Sequence, residues 1–236
     1  VRRQLLNLNY LEFTAKLAEL PYTSEAAFYP SREEDEWARG YLVDVRGQRA
    51  RDQGIALMAP TPPVFFVMWA LAGSSMHKAY PWADNVVQAI LDLMPEAVVI
   101  FTGDEVCKIL EAGWEDNPRI RCTSGELSIR QSLALAQAMD CVVGPETGVL
   151  NAVAFEDLAK VVLLSHSTRE NLTKHWINTT TVEPAGTPCY PCHRLHYTRE
   201  FCPRHETGAS ACAAATSPED VFKGIVTAYN QWSAPA

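Results

Sequence analysis

The sequence has no long apolar run, no excess of positive charge and none of the glycine patterns of the common nucleotide loops. Each absence removes a class of function. The longest apolar stretch, Val64 to Ala72, is of strand length, far short of the roughly 18 residues a membrane span needs. The chain carries 28 acidic and 20 basic residues, a formal net charge of -8. That is the wrong sign for a general nucleic-acid binder, so any affinity for phosphate must be local. No Walker loop and no Gly-x-Gly-x-x-Gly occurs. The segment Val1 to Leu6 has neither the apolar region nor the cleavage site of a signal peptide, and a cytoplasmic chain is expected. The Asn-x-Thr triplets at Asn171 and Asn178 then read as chance. An initiator Met is also missing, which suits a fragment or a processed product.

What is present is a large apolar fraction, 47% of 236 residues. This is enough for one sizeable domain, or one domain with a piece of another. Residues 1–54 are charged and helix-prone. Tyr10 to Leu20 has helical spacing, and Ser31 with Glu33, Glu34 and Asp35 marks a helix start expected to run to about Tyr41. Asp52 to Pro63 holds three prolines and a glycine and reads as a linker.

Strands and helices then alternate. Strands are expected at Val64 to Leu71, Ala97 to Phe101, Arg119 to Cys122, Cys141 to Val143, Lys160 to Leu164 and, weakly, Thr179 to Val182. The intervening helices are expected at Trp82 to Leu93, Glu105 to Gly113, Ser128 to Met139 and Thr147 to Phe155. Ser217 and Pro218 begin a final helix. This alternation predicts an α/β fold, a Rossmann-like doubly wound parallel sheet. In such a sheet ligands bind beyond the carboxyl ends of the strands, so the turns there are where chemistry is sought.

Three turns qualify. The first is Gly73-Ser74-Ser75 with Lys78, where small residues let a backbone approach an anion and the lysine supplies a point charge. An ordinary polar turn is the competing reading. The second is Gly103-Asp104-Glu105, whose carboxylate suits a ribose, although Asp104 and Glu105 also suit a helix start. The third runs from Gly144 through Glu146, Thr147, Gly148 and Val149 to Asn151. Its amides face the space above the sheet and Glu146 can take sugar hydroxyls, while a tight turn needing glycine is the plainer alternative. His166, Ser167 and Thr168 follow another strand end on the same edge, with Arg169, Lys174 and His175 nearby.

Cys107, Cys122 and Cys141 fall in regular elements and read as small buried residues. Cys189, Cys192, Cys202 and Cys212 crowd into one stretch with His193, His196 and His205. They are candidates for a structural zinc site; two disulfides or packed thiols are the alternatives.

These motifs, in this order, resemble the heptosyltransferase-like glycosyltransferases of family 9, which have the GT-B fold. Gly73-Ser74-Ser75 with Lys78 and Pro81 is similar to that family's Gly-Ser, then Lys-x-Trp-Pro, stretch. Thr102-Gly103 with Glu105 looks like its Gly-Gly-x-x-Glu turn, and Ser124 to Ser128 like its Gly-x-x-Ser-Leu helix start. Asp140 to Gly148 resembles its Val-Gly-x-Asp-Thr-Gly motif. Glu146 stands where the family has Asp, Asn151 where it has His, and Tyr80 where it has Trp.

The resemblance implies that residues 55–236 are the donor-binding domain of a GT-B enzyme. Residues 1–54 would be the tail of its N-terminal acceptor domain and the linker. Gly73, Ser74, Ser75, Lys78, Gly103, Glu105, Thr147, Gly148, Val149 and Asn151 would hold a nucleotide-diphosphate sugar. Lys78 and Glu146 would act on the leaving group and the sugar. The transfer would go to a glycan-type acceptor, without a metal in the active site. The family's catalytic base and acceptor domain precede the matched region. Cysteine-rich C-terminal loops also occur among these relatives. A non-catalytic nucleotide- or protein-binding module and a nucleotide-sugar epimerase are the alternatives on the same fold.

Overall fold

A computed structural model describes residues 8–22, 25–56, 60–72, 78–193 and 202–233. Six strands form one sheet in the order β3-β2-β1-β4-β5-β6. They are β1 (Phe65–Ala70), β2 (Ala97–Thr102), β3 (Ile120–Cys122), β4 (Cys141–Pro145), β5 (Ala159–Leu163) and β6 (Thr179–Val182). Every pairing is parallel. The helices are α1 (Tyr10–Leu17), α2 (Arg32–Asp52), α3 (Ala83–Leu93), α4 (Ile129–Gln137), α5 (Gly148–Ala152), α6 (Ala211–Ala214) and α7 (Pro218–Ser233). A 3-10 helix spans Glu105–Leu110.

The alternation of side chains along β1 divides the core in two. Phe65, Val67, Trp69 and Leu71 pack with α3 and α7 residues such as Val87, Ile90, Val221 and Ile225. Phe66, Met68 and Ala70 pack on the other face with Leu42 and Val45 of α2, Leu135 of α4 and Leu150 of α5. Both faces are covered, which is why β1, β2 and β4 are buried at every position and read as unbroken apolar runs. Each large side chain so buried contributes about 1.5–3 kcal/mol. The expected Rossmann-like doubly wound sheet is the observed one.

α2 runs past Tyr41 to Asp52. Ala38, Leu42, Val45 and Arg49 continue its buried face at helical spacing, and the helix starts after Ser31 as the sequence predicts, closed by a capping box between Ser31 and Glu34. α2 therefore shares the sheet's core, and no break in packing separates residues 32–52 from the strands. Arg49 reaches under the sheet and donates to the carbonyls of Pro95, Glu96 and Ala97. Arg119 donates to those of Leu91 and Met94 at the end of α3. Arg119 thereby satisfies carbonyls that the end of α3 leaves without helical partners, and Arg49 those of the turn that leads into β2.

Candidate functional site

The chain leaves β1 towards β2 and β3 on one side, then returns to build β4, β5 and β6 on the other. The strand order reverses between β1 and β4, and a crevice opens there at the carboxyl ends. A cleft of about 420 Å³ occupies the place, within the usual range for a small-molecule site. Ala70 and Ala72 line it after β1, and Thr102, Gly103 and Asp104 after β2. Leu127, Ile129 and Ser132 come from the start of α4, and Glu146, Thr147, Gly148 and Val149 from the turn between β4 and α5. A larger groove, about 560 Å³, lies between α2 and α4. Its arginines are engaged, Arg39 with Asp35 and Arg46 over the Phe66 ring, and it is not at the strand ends.

Two glycines frame the crevice for different reasons. Gly144 has φ +156°, and a Cβ there would lie 2.6 Å from the Ala70 carbonyl oxygen. It lets β4 close on β1. A Cβ on Gly148 would meet no protein atom within 4 Å, so packing does not demand glycine at that point of the cleft wall. Gly103 has a packing reason, since a Cβ there would come 2.5 Å from Cys107 Cβ.

Glu146 is buried and firmly held. Its carboxylate accepts from Ser165 Oγ at 2.7 Å and from the Ser167 amide at 2.9 Å, and it pairs with His166 Nδ1. Burial pushes its pKa up, but the His166, Ser165 and Ser167 hydrogen bonds outweigh that and hold it below the ordinary carboxylate value. The pairing joins two strand ends about twenty positions apart. Sequence reading singled out both residues without pairing them, because no local spacing encodes a contact between neighbouring strands' turns.

The remaining candidates divide. Thr147 caps α5, its hydroxyl accepting from the Leu150 amide, and Val149 lines the cleft beside it. Lys78 is buried beyond β1 and is not among the residues that line the cleft; Gly73, Ser74 and Ser75 lie outside the described residues. Glu105 is exposed and pairs with Lys108 at 3.0 Å. Asn151 turns to the N-terminal segment, donating to the Thr147 carbonyl and accepting from the Tyr10 hydroxyl at 3.1 Å. Lys174 and His175 hold Glu12 of α1, so these two side chains serve the docking of that helix.

None of the seven cysteines is joined in a disulfide. Burial raises the thiols of Cys107 and Cys141, to about 11 and about 12, as expected of packed, unreactive side chains. Cys212 is buried, with its thiol raised by burial and further by Cys189 and Cys192 nearby. Among the described residues no three His, Cys, Asp or Glu side chains converge as a metal site. The four clustered cysteines, as placed, are therefore not an assembled ligand set. No helix of the described residues is long and apolar enough to cross a membrane.

No protein-family model and no curated protein matches the chain in sequence. Solved structures match in fold. ADP-heptose LPS heptosyltransferase II of E. coli superposes with a TM-score of 0.59 at 14% identity, over 92% of this chain and 57% of that one. A family 9 glycosyltransferase from Veillonella parvula gives 0.60 at 12% identity, over 91% and 58%. The iron-containing dodecameric glycosyltransferase TibC of enterotoxigenic E. coli gives 0.53 at 15% identity, over 76% and 49%. The chain spans 57%, 58% and 49% of the length of these proteins, and over that span it has the fold of the family 9 glycosyltransferases.

Proposed function

We propose that the chain supplies the donor site of a glycosyltransferase, binding a nucleotide-diphosphate sugar whose sugar passes to a saccharide or other acceptor. The observation that carries this reading is the cleft at the sheet's switch point, with Gly148 free of any packing demand on its wall. The fold likeness supports it, as does a solved structure of TibC in complex with ADP-D-β-D-heptose. In this reading Lys78 and the amides of Thr147, Gly148 and Val149 stabilise the negative charge that grows on the departing diphosphate. Glu105 and Asn151 take ribose or sugar hydroxyls only if they turn from their present partners. Glu146 acts by holding the wall. The base that deprotonates the acceptor belongs to an N-terminal acceptor domain, while residues 32–52, which pack into the sheet's core, belong with the donor domain. The protein is cytoplasmic.

The test is calorimetric titration with ADP, UDP and GDP, with and without EDTA, beside Lys78→Ala. Saturable, EDTA-insensitive binding of one diphosphate is expected. The variant should bind about tenfold or more weakly, the value of one charge-assisted hydrogen bond. Circular dichroism on Lys78→Ala separates lost binding from lost fold. Binding of none of the three would favour the alternative, a non-catalytic module on the same fold.

The cysteine stretch is proposed, separately, as a structural metal site completed when Cys189, Cys192, Cys202 and Cys212 draw together. Elemental analysis of the purified protein should find about one zinc per chain, lost in Cys212→Ser. A metal-free protein of unchanged stability would remove it.

A further inference from the structure

A turn that walls a ligand cleft must keep its shape, and the one between β4 and α5 is braced at both ends. At one end the buried Glu146 carboxylate ties it to Ser165, His166 and Ser167 beyond β5. At the other end stands Asn151, in the last turn of α5. Its side-chain amide donates to the Thr147 carbonyl at 2.8 Å, and its backbone amide donates to the same carbonyl at 3.1 Å. Thr147 itself lines the cleft, as does Gly148 after it.

A carbonyl can only accept, so the Asn151 side-chain atom turned to Thr147 is the nitrogen and the oxygen faces the other way. That oxygen accepts from the Tyr10 hydroxyl at 3.1 Å, across 141 positions of sequence. Both ends of the Asn151 amide are therefore engaged, and one of them is held by α1. That helix is fixed at its start. Asn9 caps it, the Tyr10 amide donates to the Asn171 carbonyl at 3.0 Å, and the Tyr10 ring packs against the core. None of the residues of α1 is buried, and its other anchor is the pairing of Glu12 with Lys174 and His175. A helix attached so lightly can detach while the core stays closed.

We propose that Tyr10 is a positioning residue for the nucleotide cleft: docked α1 fixes Asn151, Asn151 fixes the Thr147 carbonyl, and the wall of Thr147 and Gly148 is thereby held ready for a nucleotide. The proposal rests on the nucleotide-binding reading above. A wall set in advance spares the ligand the cost of ordering it. The dependence runs both ways, because a coupling between two sites is reciprocal. Docked α1 strengthens nucleotide binding, and a bound nucleotide keeps α1 docked.

Calorimetry with whichever of ADP, UDP and GDP binds the wild type tests one direction. Tyr10→Phe keeps the ring against the core and removes only the hydroxyl. It should bind about three- to tenfold more weakly, the worth of one neutral hydrogen bond. Hydrogen exchange of the wild type tests the other direction. Saturating nucleotide should slow exchange in α1 by a similar factor, about three- to tenfold. The last turn of α7, which packs on the opposite face of the sheet, is the reference and should exchange alike with and without nucleotide. A merely structural Tyr10 would loosen α1 without changing affinity. Should the variant fail to fold, the exchange of the wild type alone decides. Unchanged affinity in Tyr10→Phe, or α1 exchange that nucleotide slows no more than it slows the end of α7, overturns the proposal while leaving nucleotide binding intact. Absence of any nucleotide binding overturns the donor-site reading instead, and this assignment with it.

Discussion

The two glycines of the β4–α5 turn show how one residue type serves two unrelated demands, and substitution should separate them. At Gly144 a side chain would press on the Ala70 carbonyl at 2.6 Å with the backbone at φ +156°. Gly144→Ala should therefore cost about 2–4 kcal/mol of stability, from steric strain and an unfavourable backbone conformation. At Gly148 a side chain meets open space at the first position of a helix. Gly148→Ala should leave stability unchanged or raise it by up to about 1 kcal/mol, while weakening nucleotide binding if the space is occupied by ligand. Denaturant melts and calorimetry on the two variants check this, and an equal loss of stability in both would contradict it. Both positions stood out in the sequence as one glycine-bearing turn. The distinction between them was not legible, because it depends on how close β1 comes to β4. The same limit applies to Asn151, which the fold directs at Tyr10.

At the scale of elements, the strands were the most legible part, since a strand covered on both faces must be apolar at every position, and β1, β2 and β4 are buried throughout. Helix starts were legible where a side chain caps them, at Ser31, Ser128 and Ser217. Helix ends were less so, although α3 ends at Leu93 as expected. α5 stops at Ala152 and the turn after Asp104 is a 3-10 helix, and α6 escaped notice because four residues carry no periodicity. β5 hides a further device. Lys160, second in the strand, is fully buried and donates to the carbonyls of Glu156 and Leu158 at 2.7 and 2.8 Å. Burial drives its pKa down to about 8, from about 10.4 in an unfolded chain. Between these values the unfolded state binds the extra proton, so folding stability from this group rises with pH over that window and is lowest below about pH 8. Relative to Lys160→Met, the wild type should gain on the order of 2 kcal/mol between about pH 8 and pH 10. Below that window the variant still forfeits two hydrogen bonds to buried carbonyls. Parallel pH-dependent unfolding curves for the two proteins would refute the assignment.

On the scale of the whole molecule, stability should be graded outward from the sheet's centre. β1 lies between β2 and β4 with twofold coverage and no exposed position. α1, by contrast, buries none of its residues and leaves Phe13 and Leu17 exposed. Tyr10 packs partly against the core, and the rest of its attachment to the 170–175 segment and α5 is polar. Tyr10 N donates to the Asn171 carbonyl and Asn171 Nδ2 to the Leu8 carbonyl, Glu12 meets Lys174 and His175, and the Tyr10 hydroxyl meets Asn151. Surface ion pairs of this kind hold weakly and are screened by salt, whereas opening β1 requires the core itself to part. Hydrogen exchange followed by mass spectrometry should accordingly find α1 exchanging first, faster still at high salt or in Glu12→Gln, with β1, β2 and β4 last. α2 should exchange with the slow group, because Ala38, Leu42 and Val45 belong to the same core as the strands. If α1 proved as protected as β1, an apolar partner covering Phe13 and Leu17 would be needed to explain it. If α2 exchanged with α1, residues 32–52 would have to be regarded as a unit apart from the sheet they pack against.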